Sequence, residues 1–120
     1  MKKIKTLKKN YEFKKVMTKG KFYIGNQIII YITENNINSN IIGIAVSKKT
    51  CGAVGRNNIK RKIRENYRLI ENSLKKGYKI VFVWKKNQKI EELNFHTIKN
   101  DMYEIFDKAG LIQWRNFFWN

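Results

Sequence analysis

Hydrophobic positions along the chain alternate between stretches of helical and of extended period. Over residues 10–18, Phe13, Val16 and Met17 share a face at i, i+3 and i+4, which predicts a short helix with Asn10 as N-cap, Glu12 in the first turn and Gly20 closing it. Residues 21–24 and 27–33 read as strands joined around the turn dipeptide Gly25-Asn26. Their alternation puts Ile28, Ile30 and Ile32 on one face of a hairpin and Ile29, Tyr31 and Thr33 on the other. A polar loop over 34–40 leads to a third strand, Ile41 to Val46, whose near-continuous apolar character predicts burial on both faces.

After a basic loop over 47–55, a second helix is expected from Arg56 to Leu74. Wound at about 100° per residue, it gathers Ile59, Ile63, Tyr67, Ile70 and Leu74 into a core-facing stripe, and Asn57, Lys60, Arg61, Arg64 and Arg68 into an opposite polar and cationic strip. Beyond Gly77, Tyr78 to Trp84 read as a fourth strand. A last helix from Asn94 to Lys108 carries Ile98, Met102, Ile105 and Phe106 on its apolar side and ends at Ala109-Gly110-Leu111. This order of elements is α-β-β-β-α-β-α, an α+β class. With 120 residues, 42% of them hydrophobic, the chain suffices for one two-layer core, so residues 1–120 are read as a single domain.

Charge narrows the function. Lys and Arg number 26 against 9 Asp and Glu, a net +17 that exceeds the needs of solubility and points to a polyanionic partner. No acid lies between Glu34 and Glu65, whereas Lys48, Lys49, Arg56, Lys60, Arg61, Lys62 and Arg64 accumulate there. The cations of the second helix are expected to lack acidic partners at i±4, so that each pair repels by a few tenths of a kcal/mol unless an anion intervenes. Phe13 and Tyr31 on neighbouring elements are candidates for stacking on unpaired bases, which favours single-stranded RNA over duplex DNA, although Phe13 fits a core position equally well.

Other classes fit poorly. The longest apolar stretches, Ile28 to Ile32 and Ile80 to Trp84, fall far short of the ~20 residues of a membrane span. The basic N-terminal region lacks the apolar core of a signal peptide, so a cytoplasmic protein without membrane partners is expected. One cysteine and one histidine, Cys51 and His96, support neither a disulfide framework nor a zinc module, and leave His96 without an acid–base partner. A metal-dependent nuclease would have to use Glu91, Glu92, Asp101, Glu104 and Asp107, whose spacing is that of ordinary helix-surface acids. Cys51 lies near Lys48 and Lys49 but has no partner for nucleophilic work.

The run Val46-Ser47-Lys48-Lys49, Ala53-Val54, Arg56-Asn57, Ile59-Lys60-Arg61 and Arg64-Glu65 resembles the basic motif, the RNR box, of the protein subunits of bacterial ribonuclease P. Leu7-Lys8-Lys9 with Phe13, Val16 and Gly20, and Lys108-Ala109-Gly110-Leu111-Ile112, extend the resemblance to nearly the whole chain. The chain departs from the family at Asn58, where a third basic residue is usual, at Cys51, where Gly is usual, at Gly55, which replaces a larger residue, and at Met17, where an aromatic is common. The resemblance implies a two-layer α-β sandwich similar to the second domain of ribosomal protein S5, with a left-handed βαβ crossover. It also implies an activity, removal of the 5′ leader from precursor tRNA, in which the RNA subunit holds the catalytic Mg2+ and performs the hydrolysis. The implied partners are the catalytic RNA and precursor tRNA, with no DNA. By the same resemblance Lys48, Lys49, Arg56, Asn57, Lys60, Arg61, Arg64 and Arg68 would contact RNA, and Phe13, Met17 and Tyr31 would line a cleft for the single-stranded leader. No protein residue would be catalytic. The alternative is a non-catalytic ribosome-associated or structural RNA-binding protein on the same fold.

Overall fold

A computed structural model describes residues 4–113 of the protein. Five strands, β1 (Lys5–Thr6), β2 (Lys21–Ile24), β3 (Ile28–Glu34), β4 (Ile41–Ala45) and β5 (Tyr78–Trp84), form one sheet in the order β1-β4-β5-β3-β2. Three α-helices accompany it: α1 (Asn10–Lys19), α2 (Ala53–Ile70) and α3 (Phe95–Lys108). The sheet is mixed. β2–β3 and β3–β5 are antiparallel, while β4 runs parallel to both β1 and β5, with α2 inside the β4–β5 crossover.

Register divides the sheet cleanly. Ile28, Ile30, Ile32, Ile42, Ile80, Phe82 and Trp84 lie on the face packed by α2 and α3, where Ile59, Ile63, Tyr67, Ile70, Ile98, Met102, Ile105 and Phe106 complete the main core. Phe82 is its hub, meeting Tyr67 and Phe106 edge-on at ring distances of 5.8 and 6.2 Å. On the other face α1 presses Val16 against Leu7 and Val81, with Phe13, Tyr31, Ile41 and Val83 packed around them. The two faces explain which strand is buried on both sides. It is β5, whose Ile80, Val81 and Phe82 are wholly buried at the centre of the sheet. The third strand of the sequence reading, β4, has only the two-residue β1 outside it, and its Ile41, Ile44 and Ala45 stay half-buried.

Several boundaries differ from the sequence reading for local reasons. Asn10 is the first helical residue of α1 and does not cap it; Lys9 occupies the cap, and its carbonyl already accepts from Glu12 N–H at 3.0 Å. Gly20 ends α1 without a left-handed turn. Its φ is −79°, and glycine is required instead because a Cβ would sit 2.6 Å from the Val16 carbonyl and 2.8 Å from that of Ile32. α2 starts at Ala53 and not at Arg56, with extended Gly52 before it, and stops at Ile70 in a 3₁₀ turn over Glu71–Ser73, so that Leu74 reaches the core from beyond the helix. Only at Gly110 does a helix-closing glycine adopt the left-handed region, at φ 74°, with Leu111 N–H returning to the Phe106 carbonyl. β1 escaped the sequence reading because two residues carry no periodicity; its strand character comes from pairing with Ile41 and Ile42.

Candidate nucleic-acid interface

α2 carries the site because its burial is one-sided. Ile59, Ile63, Tyr67 and Ile70 are buried, while Asn57, Arg61 and Arg68 are exposed and Lys60 and Arg64 half-buried on the opposite side. The strip is less free of acid than expected. Glu65 stands four residues beyond Arg61, and its carboxylate lies 3.8 Å from the guanidinium. Both side chains are more than half exposed, so the pair contributes no more than about 0.5 kcal/mol and leaves Arg61 available to an anion. Asn58 accepts from Arg61 at 2.8 Å and orients that guanidinium.

Arg56 is placed elsewhere. One residue before Asn57, it turns toward the core side of α2, where its guanidinium donates to the Cys51 carbonyl at 2.7 Å and reaches the Lys48 carbonyl at 3.5 Å. It thereby fastens the loop that presents exposed Lys48 and Lys49, whose turn closes with Thr50 N–H on the Ser47 carbonyl. The departures at Cys51 and Gly55 belong together. A Cβ on Gly55 would lie 2.5 Å from the Ile90 side chain and 2.8 Å from the Cys51 sulfur, so these two groups occupy the space a larger residue would need.

Beside the strip runs an open groove of about 620 Å³, within the size range of ligand sites. α1 supplies Asn10, Phe13, Lys14 and Met17; the strand ends supply Ile44 to Ser47, Val83 and Trp84; Lys60 and Lys86 stand at its border. Phe13 is half-buried because its ring lies over Gly43, where a Cβ would be 2.5 Å from the ring edge. Phe13 therefore packs against the sheet and also lines the groove. Met17 is 37% exposed. Tyr31 is not part of the groove lining. It sits half-buried on the same sheet face, against the apolar cluster it shares with Phe13 and Val83.

Sequence reasoning missed four members of this surface. Lys14 and Lys86 border the groove, and Phe22 and Ile24, 60% and 63% exposed, extend the apolar face past Tyr31, with the Phe22 and Tyr31 rings 5.9 Å apart. The alternation of residues 21–24 carried that signal, because Phe22 pairs with Tyr31 and Ile24 with Ile29. Asp101 is 1% exposed and its carboxylate accepts from the backbone N–H groups of Asn26, Gln27 and Ile28, and no group of three or more His, Cys, Asp or Glu is placed to hold a metal among the described residues.

A mixed sheet with a cationic helix on one flank and a groove lined by aromatic and lysine side chains on its open face defines a small α-β sandwich protein with a surface suited to a polyanion. The ribonuclease P protein family, described as "Ribonuclease P", matches residues 1–110. The ribonuclease P protein component of Thermoanaerobacter sp. (strain X514) is 41% identical over 109 residues, covering 91% of this chain and 92% of its own. That of Natranaerobius thermophilus is 34% identical over 113 residues, covering 94% and 96%. Among solved structures, the Staphylococcus aureus RNase P protein superposes with a TM-score of 0.77 at 29% identity, covering 92% of this chain and 99% of that one. The Thermotoga maritima RNase P protein, at 24% identity and a TM-score of 0.76, shares the fold. The chain belongs to the ribonuclease P protein family and is a protein component of that ribonucleoprotein.

Proposed function

We propose that this chain binds the catalytic RNA of ribonuclease P through Asn57, Lys60, Arg61, Arg64 and Arg68 of α2 with Lys48 and Lys49 of the preceding loop, and holds the single-stranded 5′ leader of precursor tRNA along the groove. The observation that carries the reading is the convergence at Lys60, a strip residue that also lines the groove with Phe13 and Met17. Phosphates on the strip and stacked bases in the groove can then be engaged by one molecule at once. Arg56 acts in this reading by holding the Lys48–Lys49 loop. Tyr31, with Phe22, continues the apolar floor beyond the groove.

Cleavage is assigned to the RNA. His96 has no second general acid or base beside it in the sequence, and the one deeply buried carboxylate, Asp101, is occupied by backbone amides, so the residues present do not fit a protein-held magnesium centre. In this reading the Mg2+ ions belong to the RNA, and the protein supplies cationic charge that offsets repulsion between catalytic RNA and substrate. The cytoplasm is the proposed location, where precursor tRNA is made; among the described residues no helix is long and apolar enough to cross a membrane.

The deciding experiment is cleavage of a 5′-labelled precursor tRNA at low magnesium by a bacterial ribonuclease P RNA, with and without the protein, beside a protein-only control. Leader release that needs both components supports the proposal. Binding without stimulation of cleavage would replace it by a structural RNA-binding role, and cutting by protein alone would overturn the assignment of chemistry to RNA.

A further inference from the structure

The turn between β2 and β3 is tied down from behind the sheet. The Asp101 carboxylate, on α3, accepts from Asn26 N–H and Gln27 N–H at 2.8 Å each and from Ile28 N–H at 3.3 Å. Gly25 is the residue this approach requires, since a Cβ there would fall 2.6 to 2.9 Å from the carboxylate atoms. Gln27, 5% exposed, donates through its side chain to the Glu92 carbonyl and accepts from Asn94 N–H at 3.2 Å. Lys85 closes the set: its N–H donates to the Gln27 carbonyl at 3.0 Å and its ammonium to the Gly25 carbonyl at 3.3 Å.

Three segments distant in sequence thus converge on one turn, and the turn borders the RNA-facing surface. Ile24 and Ile29, paired across the hairpin beside it, lie on the open face with Tyr31 and Phe22, and Ile29 pairs with Val83 of the groove. Lys85 immediately precedes Lys86 at the groove border. We propose that Asp101 and Gln27 are positioning residues for leader recognition: from the far side of the sheet they set the height of the β2–β3 hairpin and of the Lys85–Lys86 segment, and so the shape of the floor on which leader bases stack. A helix that lines none of the groove thereby shapes its selectivity. The inference rests on the leader-groove reading above.

The test uses the full chain assembled with catalytic RNA, comparing affinity for precursor tRNA with that for mature tRNA lacking the leader. Asp101→Asn removes a carboxylate oxygen from the amides, Gly25→Ala crowds it, and Gln27→Met removes the second tie while preserving bulk. Each is expected to weaken precursor binding about tenfold, within the range for one lost stacking contact, while affinity for mature tRNA and for catalytic RNA stays within about twofold. Ile98→Val, a core trim on the same helix, should lower the melting temperature and leave the precursor-to-mature ratio unchanged. Folded Gly25→Ala or Gln27→Met proteins with an unaltered ratio, or with equal losses for all three RNAs, would overturn the positioning role and leave the leader reading intact. Absence of any leader preference in the unmodified protein would remove the leader reading, and this inference with it. Should Asp101→Asn not fold, the other two variants decide the matter.

Discussion

Tyr67 is wholly buried, yet its hydroxyl has no hydrogen-bond partner among the described residues. The Asn40 amide, which donates to the Lys75 carbonyl and accepts from Tyr78 N–H, lies near the phenol and favours its ionised form, but more weakly than burial disfavours it. Burial, with the Glu71 carboxylate nearby, holds the phenol above its ordinary pKa. The sign follows: an ionisable group whose folded pKa is raised supports the fold at full strength below the unfolded value near 10 and loses that support as pH climbs above it. Tyr67→Phe should therefore cost little near neutrality, or add up to about 1 kcal/mol, because no bond is lost and a desolvated hydroxyl is removed. It should also flatten the alkaline fall in melting temperature, as thermal unfolding at pH 8 and above pH 10 would reveal. At the RNA surface, Arg61→Ala with Arg64→Ala should lower affinity for catalytic RNA and flatten its salt dependence by up to about two phosphate contacts, ~0.7 to 0.9 in log–log slope for each. An unchanged slope in a salt titration would remove this strip from the interface. Conversely Asn58→Arg should steepen the slope by about one such contact.

At the level of elements, α1 comes close to the sheet at Gly20, against the Ile32 carbonyl, and at Phe13, over Gly43. Gly43 lets the Phe13 ring and Leu7 approach β4, and an added methyl cannot be accommodated without moving the ring. Gly43→Ala is expected to destabilise by about 1–3 kcal/mol and to weaken precursor binding more than mature tRNA binding, because Phe13 is displaced. Denaturant melts together with paired affinities would separate the two effects. Phe13→Ala and Tyr31→Ala should each weaken precursor binding by ~1 to 3 kcal/mol while sparing mature tRNA. Equal losses for both RNAs would return these residues to a purely packing role. Element types were readable from period for α1, α2, α3 and the longer strands, and so were the ends of β2, β5 and α3, whereas those of α1 and α2 were not. Lys9, Gly52 and Gly20 are terminal residues chosen by where the chain turns and by backbone approach, neither of which leaves a periodic trace.

The molecule as a whole separates its tasks by face. α2 and α3 fill one side of the sheet with the main core, and α1 covers only part of the other, leaving an apolar strip from Ile24 to Val83 beside a cationic helix. In the proposed function, screening of phosphate charge is one contribution of the protein to bringing two RNAs together. Its stimulation of cleavage by catalytic RNA is expected to be greatest at low magnesium and low monovalent salt and to shrink as either rises. Initial rates measured across a magnesium series, with and without protein, would check this; a constant ratio would point to contacts other than charge.

Within the chain itself, helical and extended periodicity determined the core stripe of α2, the apolar face of α3, the hairpin and the cationic strip, because burial of apolar residues on one side is written directly into spacing. The resemblance of the Val46–Glu65 run carried the family. Tertiary structure alone decided the rest. Arg56, which the resemblance groups with the RNA-contacting cations, ties down the Lys48–Lys49 loop because loop carbonyls came within its reach, and Asp101 became a clamp because folding brought three amide donors to it from residues more than seventy positions earlier. Strand register set Phe22 beside Tyr31 and Ile24 beside Ile29 on the open face of the sheet. Such contacts join positions remote in sequence, and a one-dimensional pattern holds no record of which distant groups will meet.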